Sequence, residues 1–119
     1  ADHYWCGARD QGDVWFVDKP RVNDLHPTMK PLELVERAIR NSSKSRDIVL
    51  DLFGGSGTTL IAAERTDRSA RLLELDPKYV DVIIERWQNL TGGVAVLDGE
   101  DRTYEDLNSA RGSRSEDGA

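Results

Sequence analysis

Cysteine is almost missing from this sequence: Cys6 stands alone. No disulfide can form within the chain, which favours a reducing, cytoplasmic setting over a secreted one. Histidine is nearly as scarce, with only His3 and His26. Together with Cys6 they show none of the repeated spacing of a zinc site, so no metal is expected. Long apolar runs are absent as well. Nothing approaches the length of a membrane span or the core of a signal peptide. Basic residues are outnumbered, 16 Lys and Arg against 22 Asp and Glu, for a formal charge of -6. Grip on a phosphate backbone comes from clustered Lys and Arg. This stretch is therefore not expected to hold nucleic acid unaided.

What is present is one domain's worth of chain, 119 residues. A chain of this size buries only a modest core. Residues 1–25 carry two short aromatic and β-branched runs, His3-Tyr4-Trp5 and Val14-Trp15-Phe16-Val17. They suit short strands or extended arms whose aromatics cover a small core. Pro27 and Pro31 hold the segment between them extended, and Pro31 suits the opening turn of a helix. Leu32, Val35 and Ile39 then recur at spacings of three and four up to Asn41-Ser42-Ser43. Ile48 to Phe53 is an apolar run broken only by Asp51, the pattern of a strand buried on both faces. Gly54-Gly55-Ser56-Gly57 ends it, and Thr58 to Arg65 reads as a helix. Arg71 to Leu75 is a second strand candidate. Asp76 and Pro77 suit the cap and first position of a further helix, with Val80, Ile83, Ile84 and Trp87 on one stripe and Gly92 as its stop. Val94 to Leu97 suits a last short strand. From Asp98 the chain turns polar and acidic, and the final ten or so residues read as disordered. The expected fold class is α/β, built on a parallel βαβ core.

A glycine turn between a buried strand and a helix lets a ligand approach the backbone and offers it helix amides. Three ligand classes use such a turn. A nucleoside triphosphate loop needs Lys after the last glycine, and here Thr58 follows Gly57. The dinucleotide pattern needs a third glycine where Leu60 stands, which weakens that reading without removing it. S-adenosylmethionine carries an ammonium and a carboxylate but no phosphate. Asp51 is placed to pair with the ammonium. Loop amides, with the Ser56 or Thr58 hydroxyls, suit the carboxylate. Glu74, at the end of the next strand, suits the ribose hydroxyls. Taken singly each has a plainer use. Asp51 can cap the loop, Asp76 competes for the ribose or caps its helix, and Phe53 belongs either to the core or to the adenine.

In combination, His26-Pro27-Thr28-Met29-Lys30-Pro31, then Asp51-Leu52-Phe53-Gly54-Gly55-Ser56-Gly57-Thr58-Thr59, then Glu74-Leu75-Asp76-Pro77-Lys78-Tyr79 resemble the C-terminal half of β-type amino-DNA methyltransferases. Arg86-Trp87-Gln88-Asn89-Leu90-Thr91-Gly92 resembles phage and prophage members. The resemblance covers roughly residues 14–97. It implies a partial Rossmann-like, S-adenosylmethionine-dependent methyltransferase fold, with the cofactor subdomain at 26–97. Residues 1–25 would be the remnant of an upstream region and 98–119 an acidic, largely disordered tail. It also implies that Thr28 and Lys30 fold over the methionine end of the cofactor. Asp51 and Gly54, Gly55, Ser56, Gly57 and Thr58 would cradle that end, Glu74 would bind the ribose, and Leu75 would flank the adenine.

The family's catalytic tetrad, an acid or its substitute followed by Pro-Pro and an aromatic, orients an extruded base for methyl transfer. It does not occur in this sequence. Asp76-Pro77-Lys78-Tyr79 lacks the second proline and reads as helix capping. No catalytic residue is therefore expected here. DNA would be met through the region upstream, and an incomplete sheet would leave surface for a partner chain or for self-association.

Overall fold

The computed structural model describes residues 4–12, 14–17 and 30–117. Helix α1 (Leu32–Ser42) starts directly after Pro31, whose φ of -58° suits a helix entry while its ψ of 132° remains extended. Strand β1 (Ile48–Asp51), helix α2 (Thr58–Arg65) and strand β2 (Ser69–Leu72) then form the expected βαβ unit, with β1 and β2 parallel. Helix α3 (Pro77–Thr91) is capped as its sequence dictates. The Asp76 side chain accepts from the Lys78 amide at 2.9 Å, Pro77 fills the first position, and Gly92 closes the helix in the left-handed conformation. No helix among the described residues is long and apolar enough to cross a membrane.

Four sequence expectations differ from the structure. The second strand begins two residues earlier than its apolar pattern suggests and stops at Leu72. Pairing sets these limits: the Ser69 amide reaches the Asp47 carbonyl, and β1 gives way to the glycine loop after Asp51. Among the described residues no partner strand continues beyond Leu73, and Leu73 to Leu75 run on as irregular chain.

The strand pair is also not buried on both faces. Register places Ile48 beside Ser69 and Leu50 beside Arg71 on one face, and all four are exposed. Ile48 keeps 66% and Leu50 65% of its surface in water. The opposite face, with Val49, Ala70 and Leu72, is half-buried. Helix α2 packs on β2, on α1 and on α3. The buried core is accordingly small, centred on Ile39, Ile61, Ala62, Ala63 and Ile83.

The aromatics of the N-terminal arm contribute little to that core. Phe16 and Val14 are exposed, while the Arg37 guanidinium lies 4.5 Å from the centre of the Trp15 ring. The described arm is irregular, turns at Arg9-Asp10, and is tied to α1 by polar bonds. The Cys6 amide donates to the Asn41 carbonyl at 2.6 Å, and the Gln11 and Asn41 side-chain amides exchange bonds at 3.2 and 2.7 Å.

The C-terminal tail, finally, is helical where its composition suggests disorder. Val96 and Thr103 form an isolated antiparallel bridge in place of a further strand, and α4 (Tyr104–Asp117) follows. A reciprocal cap starts it: the Thr103 amide donates to the Asp106 carboxylate and the Asp106 amide to the Thr103 hydroxyl. These bonds, backbone first, hold the Asp106 carboxyl below its ordinary range. Tyr104 anchors the helix, buried and donating its hydroxyl to Glu85 of α3 at 2.9 Å. Burial and then the Glu85 bond push its phenol from 10.0 to about 12. The folded chain thus keeps a proton that the unfolded chain releases near 10.0. The Tyr104 contribution is complete below that pH and falls as pH rises toward about 12. Alkaline titration followed by helical circular dichroism should show this loss, and Tyr104→Phe should remove its pH dependence.

Candidate functional site

The C-terminal edge of β1 and β2 is built from two carboxylates and one glycine loop. Asp51 ends β1. Its Oδ1 accepts from the Phe53 amide at 2.9 Å and its Oδ2 from the Thr59 hydroxyl at 2.6 Å. The carboxylate is thereby pinned to both ends of the loop. Glu74 lies two residues past β2. Its Oε1 accepts from the Gly55 amide and its Oε2 from the Asp76 amide, both at 2.8 Å. Glu74 thus couples the glycine loop to the turn that starts α3. Each Asp51 oxygen has a second lone pair and keeps capacity for a further donor.

The loop is shaped from within. Gly54 donates to the Leu73 carbonyl at 2.8 Å and Gly57 to the Gly54 carbonyl at 2.9 Å. Gly55 and Gly57 adopt φ of 58° and 84°, in the left-handed region that favours glycine. A Cβ on Gly54 would stand 3.1 Å from Ile83 Cδ1, and one on Gly57 3.0 Å from Ile83 Cγ1. Both glycines thus sit tightly against Ile83 of α3, with little room for a Cβ, a reason the sequence pattern did not carry. The amides of Ser56, Thr58 and Thr59 take no acceptor among the described residues. Thr58 and Thr59 open α2, where unpaired N–H groups and the helix dipole favour an anion.

The hydroxyls of Ser56 and Thr58 are engaged elsewhere. Both residues are buried, their oxygens are 3.3 Å apart, and Arg86 Nη1 of α3 reaches both and the Ser56 carbonyl. Phe53 and Leu75 stand in water on the same edge, 86% and 98% exposed. The structure thus gives Phe53 no place in the core. Lys30 is exposed just ahead of α1, and Thr28 lies outside the described residues. Two participants escaped the sequence reading. Thr59 holds Asp51, and its signal was its place as the second residue of α2. Arg86 supports the loop from thirty residues away, and its signal was a charge three residues after buried Ile83.

A parallel βαβ unit with this loop between two strand-end acids defines a partial Rossmann-like α/β fold of the S-adenosylmethionine-dependent methyltransferase class. Comparison with known proteins narrows the class. A family model described as DNA methylase, of the N6/N4 type, matches residues 6–85. The chain is 38% identical over 82 residues to Type II methyltransferase M.Cfr9I of Citrobacter freundii, an alignment covering 69% of this chain and 27% of that protein. Among solved structures it is similar to M1.HpyAVI in complex with SAM, with a TM-score of 0.60 and 30% identity over 72% of this chain and 43% of that one. It is likewise similar to TTHA0409 of Thermus thermophilus complexed with S-adenosyl-L-methionine, with a TM-score of 0.53 and 47% identity over 61% of this chain and 31% of that one. The chain belongs to the N6/N4 DNA methylase family. It spans between 22% and 33% of the length of the first curated relatives it matches.

Proposed function

We propose that residues 26–97 are the S-adenosylmethionine-binding part of a DNA methyltransferase that modifies the exocyclic amino group of adenine or cytosine. The observation that carries this reading is the pair Asp51 and Glu74 on either side of a loop whose Ser56, Thr58 and Thr59 amides meet no acceptor among the described residues. The cofactor's charges match that arrangement: an ammonium for Asp51, a carboxylate for the amides, ribose hydroxyls for Glu74. The exposed rings and branches of Phe53 and Leu75 suit the two sides of an adenine. Thr28 and Lys30 would close over the methionine end. When bound, the cofactor supplies an activated methyl group on sulfur. This chain's residues would hold and orient it and would leave the proton chemistry at the base to others.

Those others must come from outside these 119 residues, which contain no Pro-Pro tetrad. DNA would be bound there too, since a net charge of -6 opposes phosphate contact. The open face bearing Ile48 and Leu50 supports assembly with the polypeptide that carries the tetrad, whether upstream in the same protein or a separate chain. Parallel sheets are ordinarily covered on both faces.

Calorimetry of this chain with S-adenosylhomocysteine and with NAD tests the cofactor. Binding of the first alone is expected, and binding of NAD alone would overturn the reading. A methyl-transfer assay with tritiated cofactor and duplex DNA is expected to give no turnover by this chain. Robust turnover would overturn the division of labour.

A further inference from the structure

Arg86 is a half-buried guanidinium that forms no ion pair among the described residues. Arginine at such a depth ordinarily meets a carboxylate. Here Nη1 instead lies 3.2 Å from the Ser56 carbonyl, 3.4 Å from the Ser56 hydroxyl and 3.3 Å from the Thr58 hydroxyl. All three acceptors are neutral and belong to the glycine loop and the first residue of α2. Desolvation works against the charged form and lowers the guanidinium pKa from its ordinary value. Arginine nonetheless remains charged in proteins. A positive charge with no carboxylate partner among the described residues is therefore kept against Ser56 and Thr58, the residues that lead into α2. Its field adds to that of the α2 N-terminus, which already favours an anion.

We propose that Arg86 is a positioning residue for the anionic end of the ligand: it braces the loop from below through Ser56 and Thr58 and makes the amide cluster above selective for a carboxylate. This rests on the cofactor reading given above and adds to it a source of discrimination that does not touch the ligand. The residue is on α3, whose Ile83 packs against Gly54 and Gly57, so brace and packing come from one helix.

Two ligands isolate the effect. S-adenosylhomocysteine carries the amino-acid carboxylate, and its decarboxylated analogue, S-adenosyl-3-thiopropylamine, keeps the nucleoside, the sulfur and the ammonium without it. In Arg86→Gln, affinity for the first is expected to fall about tenfold or more, the range for losing one charged interaction. Affinity for the second should be nearly unchanged. Arg86→Lys keeps the charge and should retain most of the preference, and it decides the matter if the glutamine variant fails to fold. Circular dichroism establishes that each variant is folded before titration. Equal losses for both ligands, or no loss for either, would overturn the role of Arg86 while leaving the cofactor site standing. A parent chain that bound neither ligand would overturn the cofactor reading and this role with it.

Discussion

Replacing Asp51 with alanine is expected to cost the site most of its affinity for S-adenosylhomocysteine. A hydrogen bond to a charged group contributes about 1.5–3 kcal/mol, on the order of ten- to a hundredfold in binding. The loss has two parts. The ligand's ammonium would lose its counter-charge, and the Phe53 amide and Thr59 hydroxyl would lose their acceptor. Asp51→Asn separates them. An asparagine oxygen can still accept from Phe53, so the loop should keep its shape, while the charge is gone. If the electrostatic part dominates, the asparagine variant should bind almost as poorly as the alanine one. Calorimetry measures both, and an affinity unchanged in Asp51→Ala would remove Asp51 from the site.

The largest effect on folding is expected at Gly57. Its φ of 84° costs an ordinary L-residue about 1–2 kcal/mol. Alanine would also bring its Cβ to 3.0, 3.1 and 3.3 Å from three carbons of Ile83. Overpacking of that kind costs a further ~1–3 kcal/mol. Because Ile83 is branched at Cβ and buried, it has little freedom to withdraw. Gly57→Ala should therefore lose about 2–5 kcal/mol in denaturant unfolding, a large share of what a small domain has. A cycle with Ile83→Ala should recover the packing part and leave the backbone part. A cost below about half a kcal/mol in the single variant would contradict the packing seen here.

The sequence was most legible where a local rule decides the structure. The Asp76–Pro77 start of α3 and its Gly92 stop follow from capping chemistry within a few residues, and both occur. The Asp51-to-Thr58 segment was legible because a strand, a glycine turn and a helix leave a periodic trace. What failed to show was set over distance. The start of β2 at Ser69 depends on which residues of β1 lie opposite, not on its own apolar run. The openness of Ile48 and Leu50 depends on covering elements these residues do not encode. The tail carries a weak propensity signal, and its helix depends on the Tyr104 bond to Glu85 across to α3. Ser56 and Thr58 read as ligand-facing hydroxyls because Arg86, which engages them, is some thirty residues on.

The two oxygens of Glu74 close a ring of main-chain bonds through Gly55 and Asp76. On the proposed reading, an arriving cofactor would meet a backbone already tied together at this edge, and the entropy of ordering these turns would be charged to folding, not to association. Uptake there would resemble a key entering a cut lock more than a hand closing.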